Sequence, residues 1–323
     1  MNFYVCSTPY HIFLSLVMIY SKQTSGIIYL TTHEKIIDDN FKALQLNLMK
    51  LDLVEETHYR KRNKFKERVG IEHYKDITEF KKIKQNFNKC SAIFIYPWNP
   101  YSLYTISNYL FEKAGVVNLV EDGSNLYLYP KPSKFKLLAK KYLYNNHSNF
   151  HAENKVESIL VQFPEKYPNH LNSKLRELKL NKMFSNLTKS SKEKIVGAFV
   201  DDNELSILEK INTTNSVIIL TQPLSEDGYC NEVEKKVLYK KMVTNYSSKG
   251  YKIILKKHPR EKTNYNFQDV LELDGKFPSE IFSMLEIMFN KAIGVCTSAI
   301  YQIDAKEKFN TDEEFLSRKG VIK

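Results

Sequence analysis

The sequence predicts an α/β protein made of two halves, each built on a mostly parallel sheet. Three observations carry that expectation. Short apolar runs recur along the chain and alternate with helix-patterned stretches, the order that crossover connections need. Several of the runs are apolar throughout, as strands covered on both faces are. With 323 residues, 42% of them hydrophobic, the chain is long enough to bury two cores of ordinary domain size.

The elements come in order. Residues 2–6 read as a strand, 9–22 as a helix and 26–31 as a second strand. Helical stretches are expected around 35–49 and 77–87. Residues 91–96 form a third apolar strand. A helix over 101–113 comes next, opened by Asn99 and Pro100 in N-cap and first-turn positions. Residues 116–120 make a fourth strand that ends on Glu121-Asp122-Gly123. The stretch 131–194 is rich in lysine and asparagine, weakly periodic, and holds at most one clear strand, over 158–163. Regular alternation then resumes, with strands at 216–221, 251–255, 270–273 and 292–296 and helices at 231–246 and 280–290. The expected domains are therefore 1–194 and 195–323.

Composition narrows the class. Ten glycines and ten prolines argue against a fibrous or disordered chain. The four cysteines Cys6, Cys90, Cys230 and Cys296 are far apart and lack metal spacing. They read as small buried thiols in a reducing compartment. No basic leader opens the chain, and the apolar stretch 12–20 is too short to span a bilayer. A cytoplasmic protein is expected. The formal net charge of +11 suits anionic partners and peripheral contact with the inner face of an anionic membrane. No repeat at solenoid periods and no glycine-rich phosphate loop is present. No metal-like Asp-x-Asp or His/Cys cluster stands out either, so no cofactor or metal is expected.

Four segments carry chemistry, each just after a strand. In open α/β sheets that edge is where ligands bind. The first is Glu121-Asp122-Gly123, whose adjacent carboxylates repel and raise one pKa toward base strength; the plain alternative is an acidic strand-to-turn corner. The second, Gln222-Pro223-Leu224-Ser225-Glu226-Asp227-Gly228, repeats the pattern in the other half. Its alternative is a helix lead-in with Ser225 or Asp227 as cap. The third is Lys256-Lys257-His258-Pro259-Arg260, an imidazole among three cations directly after an apolar strand. It suits a phosphate-bearing ligand that needs both an anion hold and a proton donor; otherwise it is a solvated basic turn. The fourth is Cys296-Thr297-Ser298-Ala299, hydroxyls and backbone N–H groups at the start of an expected helix. Alone it is an ordinary N-cap.

Acid-acid-glycine, then His-Pro, then a Ser/Thr pair, in that order on a two-domain α/β chain, resembles the bacterial sialyltransferases of the GT-B type. The match is closest to glycosyltransferase family 52, the lipooligosaccharide and capsule sialyltransferases. The Thr8-Pro9 turn after the first strand and the Gln222-Pro223 turn add to it. The resemblance implies a GT-B-like fold, with two Rossmann-like domains whose sheets face an interdomain cleft. It implies a metal-independent, inverting transfer of sialic acid from CMP-sialic acid to a galactose-terminated surface glycan. Residues 1–194 would serve the acceptor, through Thr8, Pro9, Glu121 and Gly123, and 195–323 the nucleotide sugar. His258 would protonate the departing CMP phosphate. Thr297 and Ser298, with Lys257, Pro259 and Arg260, would bind the donor. The resemblance places the base at Asp227, with Glu226 next and Asp122 as the alternative. The two Glu-Asp-Gly turns would face each other across the cleft.

Two other readings stay open: a GT-B enzyme with another donor (a hexosyltransferase or glycerophosphotransferase) and a nucleic-acid-binding protein. Aromatics lie among lysines over 127–144, as in some single-strand binders. The basic residues are dispersed, however, and no nucleic-acid motif appears, so nucleic acid is not the expected partner. The linkage, the acceptor and the oligomeric state, a homodimer among the options, stay open.

Overall fold

The computed structural model describes residues 1–32, 35–63, 66, 71–96, 106–121, 154–167, 173–211 and 215–311. The chain divides into two compact units, Met1–Ser191 and Lys192–Lys323.

In the first unit, strands β1 (Asn2–Cys6), β2 (Gly26–Thr32), β3 (Val54–Lys61), β4 (Ala92–Ile95), β5 (Val117–Val120), β6 (Val156–Val161) and β7 (Leu175–Glu177) form one sheet in the order β3-β2-β1-β4-β5-β6-β7. Every pairing is parallel. Helices α1 (Pro9–Lys22), α2 (Lys35–Leu48), α3 (Ile71–Lys89), α4 (Ile106–Lys113) and α5 (Leu180–Ser185) belong to this unit, and α6 (Lys189–Phe199) begins in it and lies mostly in the second unit. Thr8 caps α1 by accepting the His11 N–H, and Pro9 takes the first helical position; its missing N–H costs nothing there. The stretch from Ile12 to Tyr20 is buried along its whole length, so the apolar run is a core helix. Among the described residues, no helix is long and apolar enough to cross a membrane.

The second unit has α7 (Asp202–Ile211), β8 (Ser216–Leu220), α8 (Glu232–Ser247), β9 (Lys252–Lys256), β10 (Val270–Leu273), α9 (Glu280–Met284), β11 (Phe289–Val295) and β12 (Ala305–Thr311). Its sheet runs β10-β9-β8-β11-β12, again all parallel. Val217, Ile219, Ile253, Leu255, Ile293 and Val295 supply the sheet's share of a core closed by Tyr239 and Val243 of α8. This is a mixed α/β architecture of two parallel sheets.

The structure corrects several expectations. The helix at 280–290 stops at Met284, because Glu286 turns left-handed (φ 57°) and Phe289 already pairs with Ala305 in β11. Among the described residues of 131–194 there is a second strand, β7, and two helices start. Edge strands β3 (Val-Glu-Glu-Thr-His-Tyr-Arg-Lys) and β12 (Ala-Lys-Glu-Lys-Phe-Asn-Thr) carry too few apolar residues to announce themselves. Of the cysteines, only Cys6 is fully buried; the other three are partly exposed and all four are free thiols. The first turns of the helix expected at 101–113 lie outside the described residues.

Candidate active site

Sheet order locates the ligand edge in each unit. In the second unit the chain goes from β8 to β9 and β10 on one side, then returns to β11 and β12 on the other. The reversal at β8/β11 puts a crevice outside their carboxyl ends. The segments after β8, β9 and β11 hold three of the four sequence motifs.

His258 lies one residue beyond Lys257, just past the end of β9. Its Nδ1 accepts the Arg260 backbone N–H at 3.2 Å, so a neutral ring carries its proton on Nε2. Burial, then the cations of Arg260 and Lys256, push the imidazole down to about 4 against the pull of Asp227 and Glu226. Lys256 is itself buried, donating to Asp274 O at 2.5 Å and lying 4.2 Å from the Phe277 ring centroid. Burial brings that ammonium down to about 7. Burial thus disfavours the positive forms of both groups, and an anion placed beside them would favour those forms again. Lys257 spends its charge sideways, on Glu272 at 3.1 Å and Asp274 at 2.9 Å.

The two acids after β8 have different surroundings. Asp227 is about a third exposed and forms a bidentate pair with Arg260, both bonds 2.8 Å. Glu226 is locked: Oε2 accepts from Lys235 at 2.8 Å and Oε1 from the Lys262 N–H at 2.7 Å. Burial alone would raise its pKa, but these donors outweigh it and hold the carboxyl at about 2. A group that acidic is a weak base. Neither Ser225 nor Asp227 caps α8; Asn231 does, in a capping box with Glu234.

Thr297 and Ser298 stand on the same sheet edge, at the end of β11. Cys296 leaves that strand with φ 49°, and Asn310 of β12 holds the Thr297 backbone through both its amide atoms. Thr297 accepts the Ala299 N–H at 3.3 Å, and Ser298 is exposed. The next element is a five-residue 3₁₀ turn, Ser298–Gln302, where the sequence suggested a helix.

In the first unit the order reverses between β1 and β4. There Thr8 and Pro9 open α1, and the neighbouring Tyr10 hydroxyl accepts from Gln162 Nε2 at 2.7 Å. The Gln162 backbone N–H in turn donates to buried Glu121 at 2.8 Å. The Thr8-Pro9 turn and Glu121 thus share one hydrogen-bonded chain. Asp122 and Gly123 lie outside the described residues. Among the described residues, no group of three or more His, Cys, Asp or Glu could hold a metal ion.

The model of glycosyltransferase family 52 matches residues 26–312. The chain belongs to that family. As a family 52 glycosyltransferase it shares its fold with bacterial sialyltransferases. A Photobacterium 2,6-sialyltransferase, crystallised in a ternary complex with the donor product CMP and the acceptor substrate lactose, superposes with a TM-score of 0.58 at 12% identity, over 100% of this chain and 76% of that one. The α/β-galactoside α-2,3-sialyltransferase of Photobacterium phosphoreum gives 0.58 at 14% identity, over 99% and 95%. The GT-B domain of the Photobacterium damselae sialyltransferase gives 0.56 at 14% identity, over 95% and 89%. An uncharacterized protein of Haemophilus influenzae is 31% identical over 207 residues, 62% of this chain and 62% of its own length.

Sequence reasoning passed over several residues that build this candidate site. Lys235 and Glu261 are wholly buried and paired at 2.7 Å. A signal for Lys235 existed: it lies four residues before Tyr239 and eight before Val243, on the inward stripe of α8. Gly275 is another. A Cβ there would come 2.6 Å from His258 O and from Pro259 Cα, so only glycine lets that loop rest against the His-Pro turn.

Proposed function

We infer that this family 52 glycosyltransferase moves sialic acid from CMP-sialic acid to a galactose-terminated surface glycan, with inversion and without a metal. One observation carries the reading: His258 sits at the ligand edge of the second sheet, its Nδ1 held by the Arg260 N–H so that Nε2 is the nitrogen that can meet a ligand, with cations around it. Family membership supports glycosyl transfer. The CMP and lactose bound by the Photobacterium 2,6-sialyltransferase support a cytidine donor and a galactoside acceptor here.

In the proposed reaction the acceptor hydroxyl oxygen bonds to the anomeric carbon of sialic acid while the bond from that carbon to the CMP phosphate breaks. The electron pair leaves on the phosphate, which takes a proton from His258. The donor's phosphodiester anion beside the ring raises its proton affinity. The acid is the imidazolium so formed, which carries a proton on Nδ1 in place of the Arg260 N–H contact and gives the phosphate the one on Nε2. Thr297 and Ser298 offer hydroxyls to the phosphate, with Lys256 and Arg260 supplying positive field. Lys257 and Pro259 shape the donor turn from behind. The acceptor proton goes to a carboxylate. Asp227 suits that role better than Glu226, which is already saturated with donors. A donor phosphate competes for Arg260 and so relieves its grip on Asp227. Asp122 is the alternative base, and Thr8, Pro9, Glu121 and Gly123 are assigned to the acceptor.

The test is a donor panel in EDTA: CMP-sialic acid against UDP-hexoses and CDP-glycerol, with lactose as acceptor. Transfer from CMP-sialic acid alone, undiminished by EDTA, is expected. Preference for another donor, or activity lost in EDTA and restored by magnesium or manganese, would overturn the reading.

A further inference from the structure

Glu261 is a buried acid that the proposed chemistry does not use. Its side chain is 0% exposed, a costly place for a carboxylate unless donors surround it. They do. Oε1 pairs with Lys235 Nζ at 2.7 Å and accepts the Tyr265 hydroxyl. Oε2 accepts the Thr221 hydroxyl and the His258 backbone N–H, the latter at 3.3 Å. One carboxylate thus collects the end of β8, an ammonium from α8 and the main chain of the His-Pro turn.

Lys235 extends the frame, because it is shared. It also bonds Glu226 at 2.8 Å, whose other oxygen takes the Lys262 N–H. Residues 221 and 226 on one turn, and 258, 261 and 262 on the other, are therefore anchored to a single buried ion cluster. Apolar residues of similar volume would hold a core as well or better. Directional, charge-assisted bonds to a backbone N–H fix position in a way that apolar packing does not.

We propose that Glu261, acting with Lys235, is a positioning residue that holds His258 in fixed register with the 222–228 turn. This rests on the proposed role of His258 as the acid. The benefit is geometric: a shift of about 1 Å in a reacting group costs roughly a hundredfold in rate. The predicted defect therefore falls on turnover and runs through His258.

The experiment is a double-mutant cycle, using whichever donor the wild-type enzyme turns over. A wrong donor assignment then shows in the wild type, whereas a wrong positioning role shows only in the variants. Glu261→Gln keeps the shape and removes the charge. Its kcat should fall about ten- to a hundredfold with the donor KM changed less than about threefold. In a His258→Ala background the same substitution should cost less than about threefold, because the group it positions is gone. Wild-type kcat in Glu261→Gln, or an equal loss in both backgrounds, would overturn the proposal. Should Glu261→Gln fail to fold, Tyr265→Phe removes one donor from the same carboxylate and goes through the same cycle. Non-additivity with His258→Ala supports the role, and additivity refutes it.

Discussion

His11 and His258 each sit at the carboxyl edge of a parallel sheet, and each accepts a backbone N–H at Nδ1, from Ser7 at 3.1 Å in one case and Arg260 at 3.2 Å in the other. The ring environments then diverge. His11 is fully buried and stacked on Tyr96, centroids 4.9 Å apart. Hydroxyls surround that spot: Ser7 Oγ lies 3.2 Å from the ring, and Ser15 donates to Tyr96. His258 is partly open and stands among Lys256, Arg260, Asp227 and Glu226. An identical tautomer-fixing contact thus serves two purposes. In the first unit it completes the N-terminal turn of a core helix; in the second it holds a ring at the ligand edge. Chemistry comes from the charges around the ring, since the pinning contact is common to both.

The largest effect that separates the two is on turnover. His258→Ala should lower kcat by about a hundred- to ten-thousandfold while CMP affinity, measured by calorimetry, stays within a few-fold. Near-normal turnover would remove His258 from the mechanism. Asp227→Asn comes next, with a loss of about a hundredfold or more in kcat and donor binding retained, as expected for a base. Asp122→Asn should act mainly on the acceptor KM. The reverse pattern in that pair of variants would move the base to Asp122.

Gly275→Ala probes the turn without touching any ionisable group. The added Cβ meets backbone atoms of His258 and Pro259, which cannot swing aside, so the turn must shift. A kcat loss of about tenfold to a hundredfold is expected in steady-state assays; an unchanged rate would mean that the turn tolerates displacement. His11→Phe should show the opposite balance: a stability loss of about 1–3 kcal/mol in denaturant melts, because the Ser7 N–H loses its acceptor, with kcat near wild type.

The smallest effect is on acid stability. His258 sits near 4 in the folded protein, against about 6.5 when unfolded. At this group the unfolded chain binds more protons between those values, so the contribution of His258 to stability declines as pH falls from about 6.5 to about 4. His258→Gln should flatten that part of a Tm–pH series. Glu226, held near 2, contributes stability that is lost only lower, as pH drops below the ordinary carboxylate range. Its variant Glu226→Gln should leave the upper window unchanged.

Much of this frame was legible in the sequence because it rests on apolar burial. Strands such as Ser216–Leu220 are fully buried, and the motifs sit where those strands end. Edge strands β3 and β12 were not legible, since their side chains are mostly polar and they pair through backbone hydrogen bonds that almost any residue can make. The ionic frame behind His258 was hidden for another reason. Lys235 and Glu261 are the residue types most often found solvated, and only the position of Lys235 on the inward stripe of α8 sets it apart. The unequal roles of Glu226 and Asp227 were equally invisible, because adjacent acids look alike until Lys235 and Lys262 engage one of them and Arg260 the other.

The most direct test tracks both imidazoles together. With nitrogen-15-labelled histidine, a pH titration by NMR with and without CMP reads the ring nitrogens of His11 and His258. His258 is predicted to begin as the Nε2–H tautomer with a pKa near 4 that rises when CMP binds, while adding CMP leaves the His11 ring signals in place. A CMP-induced shift at His11 with His258 unmoved would contradict the assignment of the proton donor to the second unit.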